Sequence, residues 1–290
     1  MGTSWSAQLV DPPSDCLEAI EAVLARVIAQ MSNWEVASDI SRFNRTLAGE
    51  WVALPEDLMT VMRAGLDMAR ISDGAFDPAI GHAVEAWGFG PSQRIGTAPV
   101  APVAPPWRTI ELADGEARRL RDVALDLSGI AKGFAVDAIA DALTAMGIVS
   151  FLVEIGGELR GAGVKPDMQP WWVDLESPPG LALPVLRVAL CGLSVATSGD
   201  YRRFRPSADG RLSHSIDPAS GAPIANDVAS VSVLHPQAML ADAWATAITV
   251  LGPDRGMALA TREGLAALLI RREGARGREY MTPALAAMLD

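Results

Sequence analysis

Apolar residues recur at helical spacing between Asp15 and Ser32, where Leu17, Ile20, Val23, Leu24, Val27 and Ile28 share one face, so the pattern predicts an amphipathic helix. Pro12 and Pro13 stand before it and end an opening strand. The helical spacing returns from Pro55 to Ser72 and is closed by Gly74, while the polar stretch Asn33 to Asn44, with isolated apolar anchors, predicts a loop and a short turn. Val123 to Leu127 reads as a strand, Lys132 to Met146 as a helix, and Val149 to Ile155 as a second strand running into Gly156 and Gly157. Shorter β-like runs follow at Pro170 to Leu175, Val185 to Cys191 and Ala229 to Leu234. A helix from Ala238 to Val250 and a strand at Ala266 to Ile270 complete the pattern.

Elements in this irregular order predict an α+β fold, not a doubly wound nucleotide fold or a barrel, and no internal repeat is present. Ala98 to Trp107 alternates proline with small residues, which suits an extended surface connection better than a domain boundary. The expectation is one domain over residues 1–290, built as two lobes. A formal net charge of -11 opposes binding to nucleic acid or anionic membranes. Cys16 and Cys191 are the only cysteines, too few for a disulfide framework or a cysteine zinc site, and they read as two buried thiols. No stretch reaches the roughly 20 apolar residues that cross a bilayer, and MGTSWSAQLV lacks the basic end and apolar run of a signal peptide. The chain as written therefore reads as soluble and unexported. An opening strand that begins at residue 1 is also what a trimmed leader would leave, so localisation stays open.

Three segments concentrate small residues, hydroxyls and carboxylates at element edges: LDLSGIAKG from Leu125, VATSGD from Val195 and ADAWAT from Ala241. In the first, a helix opening near Lys132 turns backbone N–H groups and a positive dipole end toward an anion, although an ordinary turn with Lys132 solvated would look the same. The Walker pattern GxxxxGK[ST] is absent, and Gly156, Gly157, Gly161 and Gly163 do not form a GxGxxG that opens a helix. In the third, Asp242 and Thr246 are four residues apart and share a helix face, an oxygen pair that suits magnesium once a phosphate completes the shell. A carboxylate near a helix start is more often a cap. Thr197, Ser198 and Gly199 at the end of a β-like run permit close approach of a flat ring or a phosphate, as would a plain hairpin.

His214 lies beside the turn marked by Asp217, Pro218, Ser220 and Gly221 and is suited to act as a base, with His82 and His235 as competitors. His82 is placed in a long loop after Asp77 and His235 at a strand end. Trp34, Phe76, Trp87 and Phe89 fall in or beside loops, two of them next to glycine, where core packing is not the automatic reading. Trp171 and Trp172 must face opposite ways if they lie in a strand.

In order along the chain, MGTSW at Met1, MSNWEVASDISRFN from Met31, SDGAFDPAIG from Ser72, AWGFG from Ala86, LDLSGIAKGFAVD from Leu125, EIGGELRGAG from Glu154, VATSGDYRRF from Val195, SHSIDPASGAP from Ser213 and ADAWATAITVLG from Ala241 resemble the ApbE-type FAD:protein FMN transferases. The resemblance covers nearly the whole chain and implies two lobes of mixed sheet and helices around an FAD cleft. It implies a Mg²⁺-dependent enzyme that splits the FAD pyrophosphate, attaches FMN by a phosphoester to a threonine or serine of a target flavoprotein, and releases AMP. The implied magnesium ligands are the Asp242 carboxylate, Thr246 and the main-chain carbonyl of Gly129. Lys132 and Asp126 would contact FAD, and Met1, Trp34, Ala75, Phe76, Asp77 and Ile216 would line the flavin or adenine pocket. His214 would take the proton from the acceptor hydroxyl. The implied acceptor belongs to a membrane redox complex or is an exported flavoprotein.

The chain departs from the family's usual phrases in three places: FDPAIGHA for FDPTVGPL, Trp34 where tyrosine or asparagine is frequent, and SHSIDP for SHIIDP. None removes an implied ligand, and Trp34 bears on how FAD stacks. Two other readings use the same residues: a Mg²⁺-dependent FAD pyrophosphatase that lets water attack, and a non-catalytic FAD-binding accessory protein.

Overall fold

The computed structural model describes residues 2–93, 96, 101–207 and 210–289. The first elements are β1 (Trp5–Leu9), α1 (Cys16–Met31), α2 (Asp39–Arg45), β2 (Val52–Ala53), α3 (Glu56–Ile71) and α4 (Gly81–Ala86). A 3-10 turn (Pro106–Thr109), β3 (Ile110–Leu112), β4 (Glu116–Arg119), α5 (Ala131–Ala145), β5 (Phe151–Ile155), β6 (Glu158–Ala162), β7 (Trp172–Asp174) and β8 (Arg187–Ala189) follow. Then come β9 (Leu193–Gly199), β10 (Phe204–Ser207), β11 (Gly210–Ser213), β12 (Ile216–Asp217), β13 (Ala222–Pro223), β14 (Val228–His235), α6 (Ala238–Arg262), β15 (Ala266–Glu273), β16 (Arg276–Met281) and α7 (Pro283–Ala286). The class is α+β, as the sequence pattern predicts. The chain divides into two compact units, one from Arg26–Ala131 and Arg203–Ala225, the other from Gly2–Ala25, Lys132–Arg202 and Asn226–Asp290.

The second unit is organised by a seven-stranded antiparallel sheet in the order β1-β5-β6-β9-β14-β15-β16. Gly156 and Gly157 make the β5–β6 hairpin with φ of 62° and 106°, a turn that requires positive φ and so favours glycine. β14 is buried along nearly its whole length, and α6 packs against it and against β9 and β15. The other face is filled by Trp171, Leu175, Val188, Leu190 and Leu285 around Leu268 and Ile270. Covering both faces explains why AALLI in β15 reads as an unbroken apolar run and why Ser230 and Ser232, which alternate with Val231 and Val233 in β14, are buried as well. Trp171 is buried and Trp172 exposed, the opposition that strand alternation demands.

The first unit packs α2, α3 and α4 with the small sheet β2-β4-β3 and the hairpins β10–β11 and β12–β13. Its core includes Ile40, Phe43, Leu58, Met62, Phe76, Leu125, Leu127 and Ile130. α3 ends where Gly74, at φ 81°, donates its N–H to Ala69 O at 2.7 Å.

Several expectations are corrected. The stretch from Asn33 to Asn44 is not all loop, because Ser38 caps α2 by accepting from Ser41 N, and the helix buries Ile40 and Phe43. Val123 to Leu127 is not a strand: Ala124 makes one isolated bridge with Ile80, and the Asn44 side chain accepts from Leu125 N at 2.7 Å and donates to Leu125 O at 2.9 Å. The helix that opens at Ala238 does not stop at Val250 but continues to Arg262 across a kink at Gly252 and Pro253, where Asn226 Nδ2 donates to the freed carbonyls of Thr249 and Val250. His82 lies in α4, not in a loop, Leu17 is exposed on α1, and Cys191 is exposed while only Cys16 is buried. Residues 98–100 of the proline-rich stretch lie outside the described residues, and its end forms the 3-10 turn.

Candidate active site

The second unit holds a buried charge cluster. Lys132, at the start of α5, places Nζ 2.6 Å from Glu158 Oε1 and 3.5 Å from Asp242 Oδ1. Both carboxylate residues are 2% exposed, and Glu158 Oε2 is buried without a hydrogen-bond partner. Burial alone would lower Lys132, but Asp242 and Glu158 outweigh it and push the ammonium up to about 12. Burial raises Glu158 to about 8 against the pull of Lys132, and it raises Asp242 as well. Two carboxyl groups thus share one ammonium in a desolvated place, and burial favours keeping a proton on the pair at neutral pH.

Asp242 is not the cap of α6. It sits inside the helix, and the first N–H groups of α6, from Ala238 and Met239, are accepted by Asp137 Oδ1 and Oδ2 at 3.0 and 2.9 Å. Asp242 instead accepts from Gly133 N at 3.1 Å. Gly133 makes that approach feasible, since an added Cβ would lie 2.2 Å from Ala238 O and 2.7 Å from Met239 Cα. One turn further along, Thr246 Oγ1 lies 3.3 Å from Ser198 Oγ, and Thr197 Oγ1 lies 2.8 Å from Ser232 Oγ, so the expected hydroxyl edge of β9 is present.

Within the first unit, Asp77 is buried and accepts from Ala79 N at 2.8 Å and Trp107 N at 3.1 Å. Burial raises its carboxyl to about 6 in spite of those two donors. Ala75, Phe76 and Ile216 are buried; Trp34 is 40% exposed, with the Arg203 guanidinium 5.3 Å from its ring centroid. Asp126 accepts from Ser128 N at 2.8 Å, and its own N–H donates to Pro78 O at the same distance. A cavity of about 200 Å³ opens beside it, lined among others by Asn33, Asn44, Arg45, His82 and Glu85. Gly129 lies in the turn before α5. Met1 lies outside the described residues.

His214 follows β11, with Nδ1 2.9 Å from Arg203 O. A carbonyl only accepts, so Nδ1 carries the proton and Nε2 of the neutral ring carries the lone pair. Of its competitors, His235 accepts from Gln237 N at 2.9 Å in the turn into α6, and burial lowers its pKa. His82 is exposed beside Asp122, 3.4 Å away.

Glu158 escaped the sequence reading, although it lies in the EIGGELRGAG phrase. Its signal was a carboxylate placed by the hairpin turn at the head of β6. Among the described residues no three or more His, Cys, Asp or Glu side chains converge as a metal-ligand set, and no helix is long and apolar enough to cross a membrane.

The ApbE family model matches residues 1–269. The chain is 34% identical to the FAD:protein FMN transferase of Vibrio cholerae, over 100% of this chain and 91% of that protein. It is likewise 34% identical to the FAD:protein FMN transferase of Haemophilus influenzae, over 94% and 84%. The crystal structure of the Pseudomonas stutzeri flavinyl transferase ApbE, in its apo form, superposes with a TM-score of 0.89 at 35% identity, covering 99% of this chain and 94% of that one. The relatives it resembles are enzymes of the transferase class. The chain belongs to the ApbE family.

Proposed function

We propose that this protein transfers FMN from FAD to a threonine or serine hydroxyl of a partner flavoprotein and releases AMP. The observation that carries the reading is the buried Lys132–Glu158–Asp242 cluster in a chain of this family. In the reaction the acceptor oxygen bonds to the phosphorus of the FMN half, the bond from that phosphorus to the bridging oxygen breaks, and AMP leaves with that oxygen. His214 Nε2 takes the acceptor proton, with Nδ1–H held by Arg203 O. Lys132 and Asp126 bind FAD, while Trp34, Ala75, Phe76, Asp77 and Ile216, together with Met1, enclose its rings. Lys132 carries its charge at neutral pH and can meet phosphate oxygens without any proton movement.

The donor set fits a hard divalent cation. Asp242 and Thr246 share one face of α6, Glu158 Oε2 is buried without a hydrogen-bond partner beside Asp242, and a bound cation would favour the deprotonated form of both carboxyls. Mg²⁺ would be held by Asp242, Thr246 and the Gly129 carbonyl, and when bound it would neutralise charge on the pyrophosphate.

The test is incubation with FAD, Mg²⁺ and a fragment carrying the acceptor threonine, followed by mass spectrometry. A mass gain equal to FMN, lost on Asp242→Ala or on chelation, is the expected result. Free FMN and AMP with no labelled fragment would instead mean a pyrophosphatase, and unchanged bound FAD a binding protein.

A further inference from the structure

We propose that Arg203 is a positioning residue for His214, holding the imidazole in its working tautomer by latching the 88–93 loop to the start of β10. The proposal rests on the reading of His214 as the base. Phe204 pairs with Ser213 at the open end of the β10–β11 hairpin, so Arg203 and His214 stand as the next pair outward, which is why the ring meets that carbonyl. A hydrogen bond at the open end of a two-stranded ribbon is prone to fraying. The side chains supply what the ladder lacks. Arg203 donates to Phe89 O while its guanidinium lies over Trp34. Arg205, two residues on and therefore on the same side of the strand, donates to Gly88 O and, at 2.9 Å, to Gln93 O, with its guanidinium 5.7 Å from the Phe89 ring centroid. The Phe89 ring in turn meets His214 edge-on, with centroids 6.4 Å apart and planes at 67°.

Arg203 therefore acts on one imidazole from two directions, through its own carbonyl at Nδ1 and through the loop whose Phe89 ring supports the imidazole. A sparse ladder becomes a fixed one because two planar cations staple the same loop to the same strand. Trp34 lies under the first of these cations, so the latch also sets one wall of the ring pocket in the proposed function.

The experiment compares the full-length wild type with Arg203→Ala and Arg203→Lys, using ¹⁵N-labelled histidine, with His214→Ala to assign the signals and thermal melts to confirm folding. The wild type should show the Nδ1–H tautomer for His214. Arg203→Ala should show mixed tautomers together with a fall in kcat of about 10- to 100-fold, larger than any change in the KM for FAD. Arg203→Lys keeps one donor for Phe89 O and a cation over Trp34, and should recover most of both. Unchanged ring-nitrogen signals in Arg203→Ala would overturn the proposal, whether or not the rate falls. If the wild type labels no fragment, the transferase reading fails, while the ring-nitrogen comparison still decides the role of Arg203.

Discussion

The Lys132 ammonium lies 2.6 Å from the Glu158 carboxylate, and the two residues reach each other from the first turn of α5 and the first position of β6. Removing one member of a buried pair costs about 3–5 kcal/mol, because the partner charge stays buried without compensation. Lys132→Met should therefore destabilise strongly, and the loss should grow with pH, since the two carboxylates it leaves can be neutral in acid but not in base. Urea unfolding at pH 5 and pH 9 checks this; an equal loss at both would refute it.

Magnesium binding should be steeply pH-dependent. Burial raises Glu158 from 4.5 to about 8 in the folded chain, so its contribution to stability is fully present below its unfolded value and is lost as pH rises toward 8. A bound cation favours the deprotonated carboxylates and offsets that loss. The melting temperature should rise more on adding Mg²⁺ at pH 8.5 than at pH 6, and Asp242→Ala should abolish the response. A rise of the same size at both pH values would count against the assignment.

Asp77 gives the first unit its own pH signature. Its carboxyl moves from 3.8 to about 6 on folding, so its contribution is present in acid and is lost as pH climbs from about 4 to 6, by roughly 3 kcal/mol at most. Asp77→Asn should flatten the stability profile over that interval. The variant should also be less stable at pH 4, because its amide cannot accept from both Ala79 N and Trp107 N as the carboxyl does. Chemical denaturation across the interval measures both effects.

Gly133→Ala should disrupt the cluster without touching a charge. The new methyl would press on Ala238 O and Met239 Cα, both backbone atoms with little freedom to retreat. A cost of about 1–3 kcal/mol from overpacking is expected, together with a weakened Mg²⁺ response as Gly133 N–H leaves Asp242. A variant with the wild-type response would show that this spacing is not needed.

Helical periodicity made α1, α3 and α5 legible, and the apolar run before Gly156 made β5 legible, because in each case the signal lies within a few neighbouring residues; β6, which pairs with it, was not read. The segment Val123 to Leu127 misled for a physical reason. Leu125 and Leu127 are both buried around Asp126, giving a strand's alternation, but Asn44 serves the Leu125 backbone in place of a neighbouring strand. A side chain from 81 residues away leaves no local trace. Helix α2 hid because only a few of its residues turn inward, although its capping Ser38 was there to be read. Asp242 and Thr246 were legible as an oxygen pair, whereas Glu158 was not singled out, because its pairing with Lys132 of α5 is set by the fold and not by its neighbours in sequence.

The cap that Asp137 of α5 places on α6 joins residues 101 and 102 positions apart, and α5 also carries Lys132 in its first turn. During synthesis, a chain that has just completed α5 holds the lysine and the cap but neither the helix they serve nor its carboxylate. The Lys132, Glu158 and Asp242 cluster is therefore completed late, when α6 docks, and under the proposed function affinity for a cation would report the completion of the unit. A ribosome-bound series of lengthening chains, probed for Mg²⁺-dependent protection from protease, would show that step as a single threshold beyond residue 246.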